Sequence, residues 1–328
     1  MIEAEQVLTM KQTQKQFSQI GSSLLLLCGI YLLSSYAAAY LLHVLGLENE
    51  WLGWAANFVP LYLIAMPTCI LSLRRSPKHV PASGALGLKN FFVFLLMSFA
   101  LMYLGNLVGT GLSHILTQGT SQNPLETMVQ DLNLIKILIL VVIAPLTEEY
   151  LFRKQLIDHT VHYGEWIAAL LSAVSFSLFH MNLYQMVYAF ALGLLWSYVY
   201  IRTGRLRYSV CLHMIVNFFG SVAAPTVLKL VDLDALTQIS ANDANAMTQM
   251  AEVLPGLLVY LGYALLILGL AISGFILLLT YFIKKRFFFR RGEVSLTAGQ
   301  MLKTVYCNPS MIIFILLCLV MTVFALIQ

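Results

Sequence analysis

The chain is short of charge. Only 10% of its 328 residues are Asp, Glu, Lys or Arg, where a soluble domain carries roughly a quarter. That shortage excludes a soluble enzyme and a charge-rich disordered chain. Cysteine is scarce too: five residues, an odd number, with no CxxC or zinc-ribbon spacing. A secreted disulfide scaffold is excluded, and Cys28, Cys69, Cys211, Cys307 and Cys318 read as small apolar packing residues. No HExxH is present, so no standard zincin helix is expected. No internal repeat is visible, which argues against an inverted-repeat transporter. A cleavable signal is not expected, because Met1 to Gln19 is polar and the run from Ile20 is too long for a signal core.

What is present is apolar surface, with 59% hydrophobic residues and a mean hydropathy of +0.81. Runs long enough to cross a bilayer fall near 20–45, 52–73, 90–116, 134–157, 165–182, 184–202, 206–229, 254–283 and 310–327. The expected fold is an all-α polytopic membrane bundle of about nine transmembrane helices, with eight as the alternative count. Basic and acidic ends alternate along the chain. Lys11 and Lys15, Arg74, Arg75 and Lys78, Arg202 to Arg207, and Lys284 to Arg291 mark one side; Glu48 and Glu50, Glu126 and Asp131, and Asp232 to Glu252 mark the other. The positive-inside rule then places the N-terminus in the cytoplasm. The expected organisation is a cytoplasmic segment 1–19, three accessory helices in 20–133, a four-helix core in 134–229, an external polar loop in 230–253, and two closing helices in 254–328 with a basic loop between them. Gly105 and Gly109 form a GxxxG that reads as close packing within the chain or, alternatively, as a dimer face. The basic stretch 284–291 reads as a topology anchor, with anionic lipid as the alternative.

Ionisable groups inside membrane spans are costly and are functional candidates by default. They concentrate in three helices: Glu148, Glu149 and Arg153 in the fourth, His180 in the fifth, and His213 with Asn217 in the seventh. Glu149 and Arg153 stand i,i+4 and can pair. Glu148 lies about 100° around the helix and is free to act as a general base. His213 and Asn217, also i,i+4, can aim two donors at one point, as an oxyanion requires. Glu148, His180 and His213 also suit a divalent metal such as Zn2+, with a fourth position left for water. The plainer alternatives are a buried ion cluster, a hydrogen-bonded helix contact and a packing histidine. Pro145 should break the helix beside Glu148 and open space there. Counted at ~1.5 Å per residue, Glu148 and His213 lie roughly 10–14 Å from their cytoplasmic ends and His180 nearer 22 Å, a mismatch for one site.

The ordered set Glu-Glu-x-x-x-Arg (148, 149, 153), Phe-x-x-x-His (176, 180) and His-x-x-x-Asn (213, 217) resembles the CAAX protease and bacteriocin-processing (CPBP, or Abi) family, which includes the type II CAAX prenyl endopeptidases. The resemblance covers about 90 residues. It implies an intramembrane endopeptidase with its site open to the cytoplasmic leaflet, acting on a peptide or lipidated protein. Glu148 and His180 would activate water, His213 and Asn217 would hold the oxyanion, and Glu149 with Arg153 would hold the architecture. No cofactor is required in that scheme. The alternative is a non-catalytic scaffold that works with another membrane protein. Compact loops suit a prokaryotic plasma membrane, and no nucleic-acid partner is expected.

Overall fold

A computed structural model describes residues 2–47, 49–129, 131–238, 246–294 and 296–327. Among these, the chain is helical, with a single isolated β-bridge between Gly164 and Arg291. Nine principal helices follow in order: α1 (Ile2–Val44), α2 (Glu50–Leu73), α3 (Leu88–Thr117), α4 (residues 134–160), α5 (Glu165–Phe179), α6 (Leu183–Thr203), α7 (Leu206–Leu228), α8 (Ala246–Ile283) and α9 (Pro309–Ile327). Seven of them are long and apolar enough to cross a membrane. The other two fall outside that tally for different reasons. α4 carries Glu148, Glu149, Arg153, Lys154 and Asp158. α5 has 15 residues, which is about 22 Å of helix against a hydrocarbon core of about 30 Å. It stops at Phe179 rather than near residue 182, because Met181 takes a left-handed φ of 48° and Asn182 caps α6 by accepting from the Tyr184 N–H at 3.0 Å. Of the expected external loop, Leu233–Gln238 is helical and residues 239–245 lie outside the described residues, as does Glu48.

Three helices share one irregularity. Each widens into a π turn that closes on the residue before a proline. The Met66 N–H reaches the Leu61 carbonyl before Pro67, the Ala144 N–H reaches Ile139 before Pro145, and the Ala224 N–H reaches Phe219 before Pro225. A proline has no N–H to continue the ladder, and its ring crowds the carbonyl one turn back. A wider turn makes room for that ring and leaves a carbonyl without its helical donor.

Helix packing explains the small residues. A Cβ on Gly105 would stand 2.6 Å from the Tyr188 Cα, and one on Gly109 would stand 2.7 Å from the Tyr184 carbonyl oxygen. The GxxxG of α3 is therefore the seat of α6 within the same chain, not a free dimer face. The terminal helices also meet. The Ser22 and Ser310 hydroxyls are 2.8 Å apart, and the Cys28 and Cys318 sulfurs are 3.8 Å apart.

The two ends of the bundle differ. At one end the three basic loops are tied together. The Gly84 N–H donates to the Thr203 carbonyl at 2.8 Å, the Arg205 Nε donates to the Ser83 hydroxyl at 3.2 Å, and the Arg290 N–H donates to Glu165 at 2.7 Å. Glu165 also pairs with Arg202. Phe287 and Phe289 pack their edges on Tyr198, so the aromatic half of the basic stretch is a strap over α5 and α6. The other end carries the Lys136–Glu50 pair, Lys229 near Asp131 at 3.8 Å, and a bond from the Asn182 amide to Asn123 at 3.2 Å.

Candidate active site

α4 supplies the carboxylates. Just past the Pro145 irregularity, Glu148 is 9% exposed, whereas Glu149 and Arg153 are fully buried. Arg153 Nη2 stands 3.1 Å from Glu149 Oε1, as the i,i+4 spacing requires. The guanidinium carbon also lies 4.2 Å from the Phe176 ring centre and 5.6 Å from that of Trp196. A carboxylate on one side and two aromatic faces on the other replace the water this cation has lost.

Glu149 has a second task that the sequence did not reveal: its Oε1 lies 3.1 Å from His213 Nδ1. The other nitrogen of that ring, Nε2, is 3.9 Å from Glu148 Oε2. His180 is arranged in the same manner, its Nδ1 lying 2.8 Å from the Phe176 carbonyl oxygen. A carboxylate and a carbonyl only accept, so each neutral ring carries its proton on Nδ1 and presents a lone pair on Nε2. His213 can therefore donate to an oxyanion only as the imidazolium, with the Glu149 carboxylate as its counter-charge.

Asn217 Nδ2 donates to the Leu140 carbonyl at 3.0 Å. In the π register of residues 139–143 that carbonyl would be met by the N–H of residue 145, which is proline. Asn217 thus satisfies the acceptor that Pro145 leaves bare. An amide nitrogen has two N–H groups, so this bond does not exhaust it.

Phe176 was legible only as a motif letter, yet it is where the polar groups meet. Its ring touches His180 at 4.7 Å and His213 at 5.8 Å between centres, both edge-on, and lies under Arg153. Trp196, from α6, packs on His213 with ring centres 4.5 Å apart and planes tilted by 31°, and it carried no sequence signal beyond being a tryptophan in a span.

Glu148, His180, His213 and Asn217 all line one cavity of about 1370 Å³. His180, the C-cap of α5, lines the same cavity as Glu148 and His213, so the depth counted along α5 from Glu165 does not take it out of the site. Residues 130–219 match the Rce1-like family model. Its description is type II CAAX prenyl endopeptidase Rce1-like, consistent with the resemblance to the CPBP family. The Rce1-like stretch holds all six candidate residues. No curated protein and no solved structure matches the chain. At the family level the Rce1-like match implies a protease, and with seven apolar helices it makes the chain an integral membrane protein.

Among the described residues, no three His, Cys, Asp or Glu side chains are grouped closely enough to hold an ion as they stand. The cavity that holds the site leads away from the basic end. From Glu148 the cavity runs to Tyr36, Asn57, Glu126 and Lys229, all near the opposite end of their helices. Towards the basic end, Leu151, Phe152 and Leu156 are completely buried and close the path.

Proposed function

We propose that the chain is an intramembrane endopeptidase that hydrolyses a peptide bond with a water molecule activated by Glu148 and His180. The observation that carries this reading is the convergence of Glu148, both histidines and Asn217 on one cavity wall, with each imidazole fixed through Nδ1. Water in that cavity gives its proton to the Glu148 carboxylate while its oxygen attacks the carbonyl carbon. His180 Nε2 accepts the water's second hydrogen bond and aligns it. The carbonyl oxygen takes the negative charge of the tetrahedral intermediate, facing the second N–H of Asn217 and a protonated His213. Glu148 then hands its proton to the leaving amine nitrogen, the C–N bond breaks, and the carboxylate is restored. Glu149 acts at one remove, holding Arg153 on one side and His213 on the other.

The test is a comparison of peptides and protein termini from cells carrying the native chain or Glu148→Ala at matched expression. Termini that vanish with the variant are expected. If none vanish where deletion of the whole chain has a phenotype, the non-catalytic scaffold is the better reading.

A further inference from the structure

The direction in which the cavity opens has a consequence for what the enzyme cuts. We propose that the site is reached from the non-cytoplasmic side, so that its substrates are polypeptide segments presented there. This rests on the endopeptidase reading above. Three observations lead to it independently of the chemistry.

First, the basic loops after α2, α6 and α8 gather at one end of the bundle through the bonds joining residues 84 to 203, 205 to 83 and 290 to 165. Loops rich in Lys and Arg stay in the cytoplasm. Second, the rim of the cavity is at the other end. Glu126 is exposed there, Lys229 keeps 57% of its side chain in solvent, and both line the cavity along with Glu148.

Third, the cytoplasmic end is plugged. Beneath Glu149 and Arg153 lie Leu151, Phe152, Leu156 and Ile157, none with exposed surface. Below them, buried Asp158 accepts from the Tyr200 hydroxyl at 2.7 Å. Gln16 of α1 closes the corner by donating to the His159 carbonyl at 2.7 Å and accepting from the Tyr163 hydroxyl at 2.6 Å. A tail held at the cytoplasmic surface has no route to Glu148 through this layer.

The path from the rim also sets the form of the substrate. Glu148 is 14 residues into α4 from the rim side, which is about 20 Å of helix. An extended chain covers that in roughly six residues at ~3.3 Å each. Folded domains cannot follow this route. The occupant is an unfolded stretch of an exported or membrane-anchored protein, apolar enough to leave water and long enough to reach the carboxylate.

The experiment uses the full chain in intact cells. Glu126→Cys is introduced and the cells are treated with a charged, membrane-impermeant maleimide. Labelling is read peptide by peptide, with native, exposed Cys307 before α9 as the reference for the basic end. The expected result is labelling of position 126 in intact cells and of Cys307 only after the cells are opened. Gln122→Cys, on the same exposed loop, serves if the first variant does not accumulate. Labelling of Cys307 but not of position 126 in intact cells overturns the proposal, as does failure of both rim positions to label even in opened cells.

The termini lost with Glu148→Ala supply the second readout. They are expected in segments facing away from the cytoplasm. If they map instead to cytoplasmic or lipidated tails, the access route is wrong while the endopeptidase reading stands. If the rim labels from outside and no termini are lost, the endopeptidase reading fails and the orientation stands.

Discussion

Glu149 joins two functions in one carboxylate, and they can be separated. Glu149→Gln keeps the shape but leaves Arg153 as an uncompensated buried charge, a change worth about 3–5 kcal/mol. A large fall in melting temperature is expected, together with loss of cleavage. Replacing both partners, as Glu149→Gln with Arg153→Met, removes the stranded charge and should return most of the stability. It should not return activity, because His213 would still lack the counter-charge that lets its Nε2 donate. A double variant that melts near the native temperature and cleaves normally would show that Glu149 serves Arg153 alone. Phe176→Leu is a milder probe. Removing the ring under the guanidinium should cost about 1–2 kcal/mol, and loosening both histidines should lower turnover by more than the loss of folded protein explains.

At the scale of the element, α4 owes its shape to Pro145. Pro145→Ala restores an N–H that can reach back along the helix, and in a helix interior alanine is favoured over proline by about 3 kcal/mol. Such a variant is expected to be as stable as the native chain or more so, yet slower, since Leu140 no longer needs Asn217 and the amide is freed to turn. Asn217→Ala should cost about 1 kcal/mol in the native background and close to nothing beside Pro145→Ala. Thermal melts of the four combinations measure the coupling. Strict additivity would mean that the Asn217–Leu140 bond is unrelated to the proline.

This element also shows what the sequence could and could not disclose. Ionisable and amide groups in an apolar run are conspicuous because lipid penalises them, so Glu148, Glu149, Arg153, His180, His213 and Asn217 stand out in the sequence. The proline signalled a break, but not that the break would be a π turn whose orphaned carbonyl is taken by α7. The early stop of α5 had no Gly or Pro to mark it; a methionine in a left-handed conformation ends the run. Nor could loop charges tell which end of the bundle is hollow. They report the side on which a loop stays, while the cavity is decided by which helix faces fail to meet.

For the whole molecule, the question is whether the bundle parts during turnover or stays closed around its cavity. α1 and α9 pack side by side, and both line the outer half of the cavity, through Tyr36 and Phe324. Their buried Cys28 and Cys318 sulfurs are 3.8 Å apart, close enough that a modest rotamer change could bring them to the ~2.05 Å of a bond. A membrane-permeant copper–phenanthroline oxidant should therefore couple them, detected as α1 and α9 fragments that stay linked after the chain is cut between α7 and α8. Closing so long a loop should stabilise the fold by on the order of 5 kcal/mol. If substrates arrive along the cavity from its rim, the stapled protein keeps its turnover, because no step needs these two helices to separate. Loss of turnover on oxidation that is absent in Cys28→Ser, and regained on reduction, would instead make the α1–α9 seam a lateral gate and move the substrate path from the rim to the lipid.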